Sequence, residues 1–448
     1  MEKELHALET NDTWDLTTLP PHKKAIGSKW VFKLKMNPDG SAERYKAPLV
    51  AKGYNQIEGV DFFDNFSPVA KTVAVRVLLA IDTINSWPLF QLDVNSTFLH
   101  GHLDQDVYML PPEGYTMAQS GQVCKLKRSL YGLKQASRQW NLELAIKILD
   151  FGFKQSPHDH CLFVKSSNHS FLALVVYVDD ILLTGSSISY IDEVNTYLDH
   201  LFTTKDLGPA KYFLGLQLAR SSHGLLVTQI KYLTNILEDV QLVDAKPAST
   251  PLPPDFKFAQ DDGSLLPCPE QHRCLVGCLL YLGFSRPDIS FAVQQLSQFL
   301  QHPHTSHWNA AIHVLCYLKG TLSLGLFFSA HGSFKLTAYS DASWVACLDT
   351  RHSITGFCIF LGSSLISSKM KKQATVSHSF AEAAVWVPQF VNFFGFPTFF
   401  VNFRSHLHYL FHFGVITRPL CTSLPTLCSI STQNTLTLIV ILCAINLS

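Results

Sequence analysis

Between Ala173 and Gly185 the chain reads Ala-Leu-Val-Val-Tyr-Val-Asp-Asp-Ile-Leu-Leu-Thr-Gly, a largely apolar run broken by two adjacent carboxylates, Asp179 and Asp180. A stretch so rich in Val, Ile and Leu, closed by glycine, predicts buried strands rather than a surface loop. Burying one unpaired carboxylate is costly, and two side by side cost more, because like charges resist joint ionisation. The remedies are a protonated acid, a cationic partner or a metal. A hairpin carrying both Asp residues in its turn would expose them at the tip while its strands anchor in the core. That arrangement suits a divalent cation, since hard cations prefer carboxylate oxygens. A chance Asp-Asp turn is the plainer reading of the dipeptide, and the remainder of the chain decides between the two.

The 448 residues suffice for several domains with sizeable cores. Formal net charge is zero, so no global field marks a nucleic-acid partner and local patches must be sought. Lys23 to Lys52 holds eight basic residues against Asp39 and Glu43, and Lys125 to Arg138 holds five with no acid. These are the candidate polyanion surfaces, against the plainer reading of solvated basic faces. The eleven cysteines form no framework, and Cys268, His272, Cys274 and Cys278 match no common zinc spacing, so buried thiols are expected there. The charged start Met1-Glu2-Lys3-Glu4 is no signal peptide, which leads to an intracellular expectation, in a cytoplasmic particle or the nucleus. From Ala383 to Ser448 there is no Asp, Glu or Lys. The apolar run Leu436 to Leu447 in this tail falls short of the ~20 residues a membrane span requires, so no membrane partner is expected.

In chain order, a helix is expected over Leu5 to Trp14. Lys29–Met36 and Arg44–Lys52 are expected as a basic hairpin around the turn 37–40. A helix over Val69–Ile81 should bury Val73, Val77, Leu78 and Ile81. Leu89–Val94 reads as a strand ending in a carboxylate, followed by a turn near Gly101. A strand Val123–Leu126 and a helix Ser137–Phe151 follow, the latter burying Trp140, Leu144 and Ile148. Cys161–Val164, the Asp179–Asp180 hairpin, a helix Ile191–Phe202, and a hairpin of Tyr212–Leu218 with Gly224–Thr228 come next. Pro247–Pro254 is a natural linker. Helices are expected over Arg273–Tyr281, Asp288–Leu300 and Ser306–Leu318, then strands over Phe334–Asp341, Gly356–Leu361 and Leu365–Lys369.

Several blocks occur in a telling order. They are Lys-Ala-Ile-Gly-Ser-Lys-Trp-Val-Phe-Lys (24–33), Phe-Ser-Pro-Val (66–69), and Gln-Leu-Asp-Val-Asn-Ser-Thr-Phe-Leu-His-Gly (91–101). Ser-Leu-Tyr-Gly-Leu-Lys-Gln-Ala (129–136), Tyr-Val-Asp-Asp (177–180), Phe-Leu-Gly (213–215) and Ser-Arg-Pro-Asp-Ile (285–289) follow. With these, residues from about Glu4 to Glu382 resemble the reverse transcriptase and RNase H region of a copia-type LTR-retrotransposon Pol polyprotein, a family frequent in plants. The resemblance implies an α+β right-hand polymerase, with fingers, palm and thumb over 1–250. A helical connection would occupy 251–330, an incomplete RNase H-like domain 331–384, and a tail without family resemblance 385–448. It also implies that Asp93, Asp179 and Asp180 are the palm carboxylates, with the Val94 carbonyl as a further metal ligand. Two Mg2+ ions ~4 Å apart, with Mn2+ as an alternative, would serve nucleotidyl transfer. The implied partners are an RNA template, a DNA primer and dNTPs. By the same resemblance Phe98 excludes ribonucleotides, Tyr131, Gly132 and Lys46 meet the nucleotide, and Leu214 and Gly215 form the primer grip. Asp341 and Glu382 match two of the four RNase H carboxylates.

The departures carry weight. Pro48 stands where the family ordinarily has an Arg that reaches the nucleotide's phosphates, and Ser137 replaces a usual Pro. After Ala384 the resemblance stops, and the acid-free tail cannot supply the remaining RNase H ligands, so RNase H activity is not expected. A frameshift, intron read-through or an error in the gene structure would each account for that break. The upstream zinc knuckle, protease and integrase are missing, so a fragment is expected. Two readings follow: an RNA-directed DNA polymerase, or an inactive retrotransposon relic that at most binds nucleic acid.

Overall fold

Every residue of Phe171–Val176 and Ile181–Gly185 is buried, so the two strands form a hairpin covered on both faces. In a computed structural model, which describes residues 2–36, 41–167, 170–253, 263–343, 350–374, 411–413 and the isolated positions 256, 258, 259, 347 and 376, this hairpin lies inside a six-stranded sheet. The strand order is Lys154–Gln155, Leu162–Ser166, Phe171–Tyr177, Asp180–Gly185, Leu89–Val94 and Thr204–Pro209. Leu172, Leu174, Val176, Ile181 and Leu183 form one core with the helices Ala136–Asp150 and Ile188–Phe202, through Trp140, Leu144, Ile148, Ile191, Val194, Leu198 and Phe202. The α+β expectation of an antiparallel sheet backed by helices holds.

The chain divides into two compact units that do not follow chain order: 1–71 with 90–208, and 72–89 with 209–448. The first also contains a four-stranded sheet, ordered Trp14–Thr18, Gln122–Arg128, His102–Met109 and Ala25–Ile26. Its core gathers Leu8, Trp14, Ile26, Leu49, Met109, Leu126 and Leu130. The second unit contains a four-stranded sheet of Tyr212–Phe213, Leu216–Arg220, Gly224–Thr228 and Leu326–Ser329. It also has a core among the helices Ile230–Asp239, Pro269–Leu282, Ser290–Leu296 and Thr305–Gly320. Leu336–Ser343, Ile354–Leu361, Ser364–Lys372 and Phe411–Phe413 form its last sheet.

Several expected boundaries move for identifiable reasons. The first helix is Glu2–Thr10, and Trp14 instead opens a strand. Asp12 takes a left-handed φ of 51° and the Thr13 hydroxyl donates to the Leu8 carbonyl, ending the helix. The basic hairpin is broken in both arms, into Ser28–Trp30 and Lys33–Met36, and Ala42–Lys46 and Leu49–Ala51. Pro48 has no N–H for the ladder, and its carbonyl accepts from Val31 N–H at 3.1 Å. The expected turn 37–40 lies outside the described residues. The helix expected from Val69 starts at Thr72, and Ala74–Thr83 are buried on all sides, not on one face. The expected strand Tyr212–Leu218 is a hairpin in itself, with Leu214 (φ 48°) and Gly215 (φ 72°) as a two-residue turn between Phe213 and its partner Leu216. Positive φ at both positions is the geometry that matches strand twist. Cys268 and Cys274 are exposed and Cys278 is half-buried, contrary to the expectation of buried thiols.

The Ser-Arg-Pro-Asp-Ile block builds the most fully buried ion pair of the second unit. Arg286 and Asp288, each 4% exposed, meet through two parallel bonds of 3.0 and 2.6 Å. Tyr317 donates to Asp288 at 2.8 Å, and Arg286 also donates to the Thr321 carbonyl and hydroxyl. Burial pushes the Tyr317 hydroxyl up to about 12, with the Asp288 charge adding to it. Removing one partner strands a buried charge. Asp288→Ala is expected to cost about 3–5 kcal/mol in denaturant unfolding, and the apolar pair Arg286→Met with Asp288→Leu clearly less.

Candidate active site

The two strand ends that carry acids are neighbours. Leu89–Val94 lies beside Asp180–Gly185, and Val94 N–H donates to the Asp179 carbonyl at 2.9 Å. Asp179 occupies the second position of a two-residue turn, because Tyr177 pairs with Asp180 across the hairpin. Asp180 is therefore the first residue of the returning strand, half-buried, while Asp179 is exposed at the tip. Val178, the other turn residue, holds a φ of 56°. That conformation is strained for a β-branched side chain. The indole N–H of fully buried Trp140 donates to the Val178 carbonyl at 2.7 Å and holds the turn from below.

Burial pushes the Asp180 carboxyl above its ordinary range; a 3.0 Å bond from the Gln91 amide pulls against this, and the charges of Asp179 and Asp93 push it further. Tyr131 feels the same acids: burial raises its hydroxyl, and Asp179, Glu4 and Asp93 add to the rise. Tyr131 also packs edge-on against Phe98, with ring centroids 5.1 Å apart. Phe98 is brought there by the short helical turn Thr97–His100, which follows a left-handed Ser96. The Thr97 hydroxyl donates to the Val94 carbonyl at 2.9 Å.

Asp93, Val94, Phe98, Tyr131, Gly132, Asp179 and Asp180 thus belong to one unit. Gly132 has a φ of 90°, and a Cβ there would lie 2.2 Å from the Ala51 carbonyl oxygen. Glycine is required on both counts. Lys46 ends the strand Ala42–Lys46, and its side chain lies outside the described residues. Leu214 and Gly215 belong to the other unit, where the Tyr281 hydroxyl donates to the Leu214 carbonyl. Asp341 lies in the strand Leu336–Ser343 opposite Gly356; its side chain, and all of Glu382, lie outside the described residues. Sequence reasoning missed Gln91, Thr97 and the indole donor of Trp140. All three act through bonds that only the tertiary fold creates, and nothing in local patterning marks them.

The charges of Asp179 and Asp93 act on Asp180, and carboxylate oxygens are the donors that hard divalent cations prefer. Among the described residues no three His, Cys, Asp or Glu side chains converge closely enough to ligate one ion. Mg2+ is commonly held by one or two carboxylates and completed by substrate phosphates and water, which matches such a set.

The raised Asp180 has a definite sign. A carboxyl with a higher pKa folded than unfolded binds its proton better when folded, so its charge opposes folding at neutral pH. That opposition fades as pH falls through the raised value towards the unfolded value. Asp180→Asn, which keeps an acceptor for Gln91, is expected to raise the urea midpoint at pH 7. The gain should vanish near pH ~3.5, below the unfolded carboxylate range.

The family model for reverse transcriptase (RNA-dependent DNA polymerase) matches residues 11–254. The chain is 43% identical over 385 residues to the retrovirus-related Pol polyprotein from transposon RE1 of Arabidopsis thaliana, covering 86% of this chain and 26% of that one. It is 37% identical over 396 residues to the Pol polyprotein from transposon TNT 1-94 of Nicotiana tabacum, covering 86% of this chain and 30% of that one. The chain therefore spans about a quarter to a third of these relatives' length. A foamy viral protease-reverse transcriptase solved with double-stranded DNA superposes with a TM-score of 0.49 at 10% identity, covering 98% of this chain and 68% of that one. The expected likeness to copia-type retrotransposon Pol polyproteins is borne out. With more than half of its length matched, the chain belongs to the reverse transcriptase (RNA-dependent DNA polymerase) family.

Proposed function

We propose that this chain is the RNA-directed DNA polymerase segment of a retrotransposon Pol polyprotein, with its active site at Asp93, Asp179 and Asp180. The observation that carries the reading is the placement of Asp93 and Asp180 on adjoining strands of one sheet with Asp179 in the turn before Asp180, the charges of Asp93 and Asp179 acting on Asp180, beside the Phe98–Tyr131 ring pair. On this reading residues 1–250 carry fingers, palm and thumb, and the protein works inside the cell.

Nucleotidyl transfer asks a protein chiefly for positioning and charge neutralisation. Asp93 and Asp179 would hold the metal ions, and the Val94 carbonyl, which accepts from Thr97, would add a further oxygen. Two Mg2+ ions, when bound, supply activation of the primer 3′-hydroxyl and neutralise charge on the leaving pyrophosphate. Asp180, oriented by Gln91, adds negative potential beside Asp179 and strengthens the site's demand for cations. Trp140 fixes the height of the acid-bearing turn. Phe98 and Tyr131 form an apolar wall on which a deoxyribose fits and a 2′-hydroxyl would lose its water without gaining a partner. The basic residues of 23–52 and 125–138 would contact template and primer phosphates, giving salt-sensitive and sequence-independent binding.

Pro48 supplies no charge for a triphosphate, and this favours the second reading, an inactive relic that retains nucleic-acid binding. Extension of a primed RNA template with Mg2+ separates the two. The full chain is expected to extend, Asp179→Asn to lose at least 100-fold (order of magnitude), and Pro48→Arg to lower the KM for dNTPs. Extension by Pro48→Arg alone would mean an intact palm disabled at the nucleotide grip. No extension by any form of a folded protein would leave the relic. In an active form, Phe98→Val is expected to relax discrimination against ribonucleotides by about tenfold or more, measured as the ratio of kcat/KM values.

A further inference from the structure

Two buried amides outside the acid cluster carry an inference of their own. Gln56 is 4% exposed and Gln135 is 1% exposed, and they meet at 3.0 Å, Gln56 Nε2 donating to Gln135 Oε1. Each then binds the backbone of the other's segment. Gln56 Oε1 accepts from Lys134 N–H at 2.9 Å, and Gln135 Nε2 donates to the Asp61 carbonyl at 3.1 Å. The Lys134 ammonium adds a bond to the Gln56 carbonyl at 3.2 Å and lies 4.9 Å from the Phe62 ring centre. Gln135 stands at the N-cap of the helix Ala136–Asp150, yet its side chain makes no cap bond. Its hydrogen-bonding capacity is spent on the loop.

The segments so joined are residues 53–62 and the 131–135 stretch that carries Tyr131. Their backbones approach as closely as glycine allows: a Cβ on Gly53 would lie 2.0 Å from the Gly132 carbonyl oxygen. Ala51 N–H donates to the Tyr131 carbonyl at 2.7 Å. Tyr131 is therefore tethered on its backbone side to the strand Leu49–Ala51 and faces Phe98 with its ring.

We propose that Gln56 and Gln135 are positioning residues for the nucleotide pocket: their buried amide clamp fixes the 53–62 loop onto the 131–135 segment and so holds Tyr131 against Phe98. The role rests on the polymerase reading above. Cutting the clamp leaves the acids and their strands in place and loosens the wall beside them. The loss falls on dNTP binding and sugar discrimination, while the chemical step and duplex binding are spared.

The test uses the full chain with Gln135→Leu, Gln56→Leu, their combination, and Gln56→Glu. The last keeps an acceptor for Lys134 and loses only the donor to Gln135, which covers the case in which the leucine variants do not fold. Backbone amide exchange without substrate is read first. Ala51 and Lys134 are expected to lose about tenfold in protection in Gln135→Leu, with Leu172–Val176 unchanged. Unchanged protection at both amides, or an even loss across the whole unit, overturns the clamp. Primer extension at varied dNTP is read second. KM is expected to rise about tenfold, with kcat and template–primer Kd within about twofold, and the double variant to be no worse than the worse single. A fall in kcat at fixed KM, or a matching loss of duplex affinity, overturns the positioning role. A folded chain that extends no primer either as wild type or as Pro48→Arg refutes the polymerase reading itself, while the exchange data still decide the clamp.

Discussion

The charge that Asp93 and Asp179 exert on half-buried Asp180 is the constraint on which the acid-bearing end of the six-stranded sheet depends. Two acids on adjoining strand ends, with a third in the turn between strands, resist desolvation, as the raised Asp180 records. The fold supplies neutral dipoles close by: the Gln91 amide to Asp180, the Trp140 indole to the Val178 carbonyl, the Val94 amide to the Asp179 carbonyl. Each steadies the geometry of the acid-bearing turn and strand ends without adding a charge.

The second unit handles charge in the opposite way. Arg286 and Asp288 neutralise each other in the core, and Asp82, raised to about 7 mainly by burial, is paired with Arg220. Arg76, lowered to about 10 by burial, donates to the Gly283 and Phe284 carbonyls. These are closed interactions. The contrast separates acids grouped at strand ends from acids consumed by the fold.

Much of this was legible in the residues themselves. The Asp179–Asp180 hairpin was announced by its β-branched and aliphatic runs, the strand Leu89–Val94 by a short stretch ending in a carboxylate, and the helix 136–150 by the spacing of Trp140, Leu144 and Ile148. The acids, the ring of Phe98 and Gly132 came from ordered motif blocks. What stayed hidden were polar contacts across long sequence separations, such as Gln91 with Asp180 or Gln56 with Gln135, 89 and 79 residues apart. The turn at Leu214–Gly215 also escaped notice, since leucine at positive φ carries none of the Asn-Gly signal of such hairpins. Trp14 joined a helix on the periodicity of its neighbours and left it because Asp12 and Thr13 end that helix first.

The interleaving of the two units bears on the order in which the protein can acquire its structure. The helix Thr72–Ile84 is buried on nearly every side, yet Asp82 finds its counter-ion in Arg220, 138 residues on, and Arg76 donates to the Gly283 carbonyl, 207 residues on. During synthesis this helix leaves the ribosome long before anything can cover it, while the chain on both sides of it belongs to another unit. Loop closure over such distances precedes its reward, which slows folding and prolongs exposure of an apolar surface. The second unit is thus late by construction, and a nascent chain stopped before Arg220 holds a helix whose core does not yet exist.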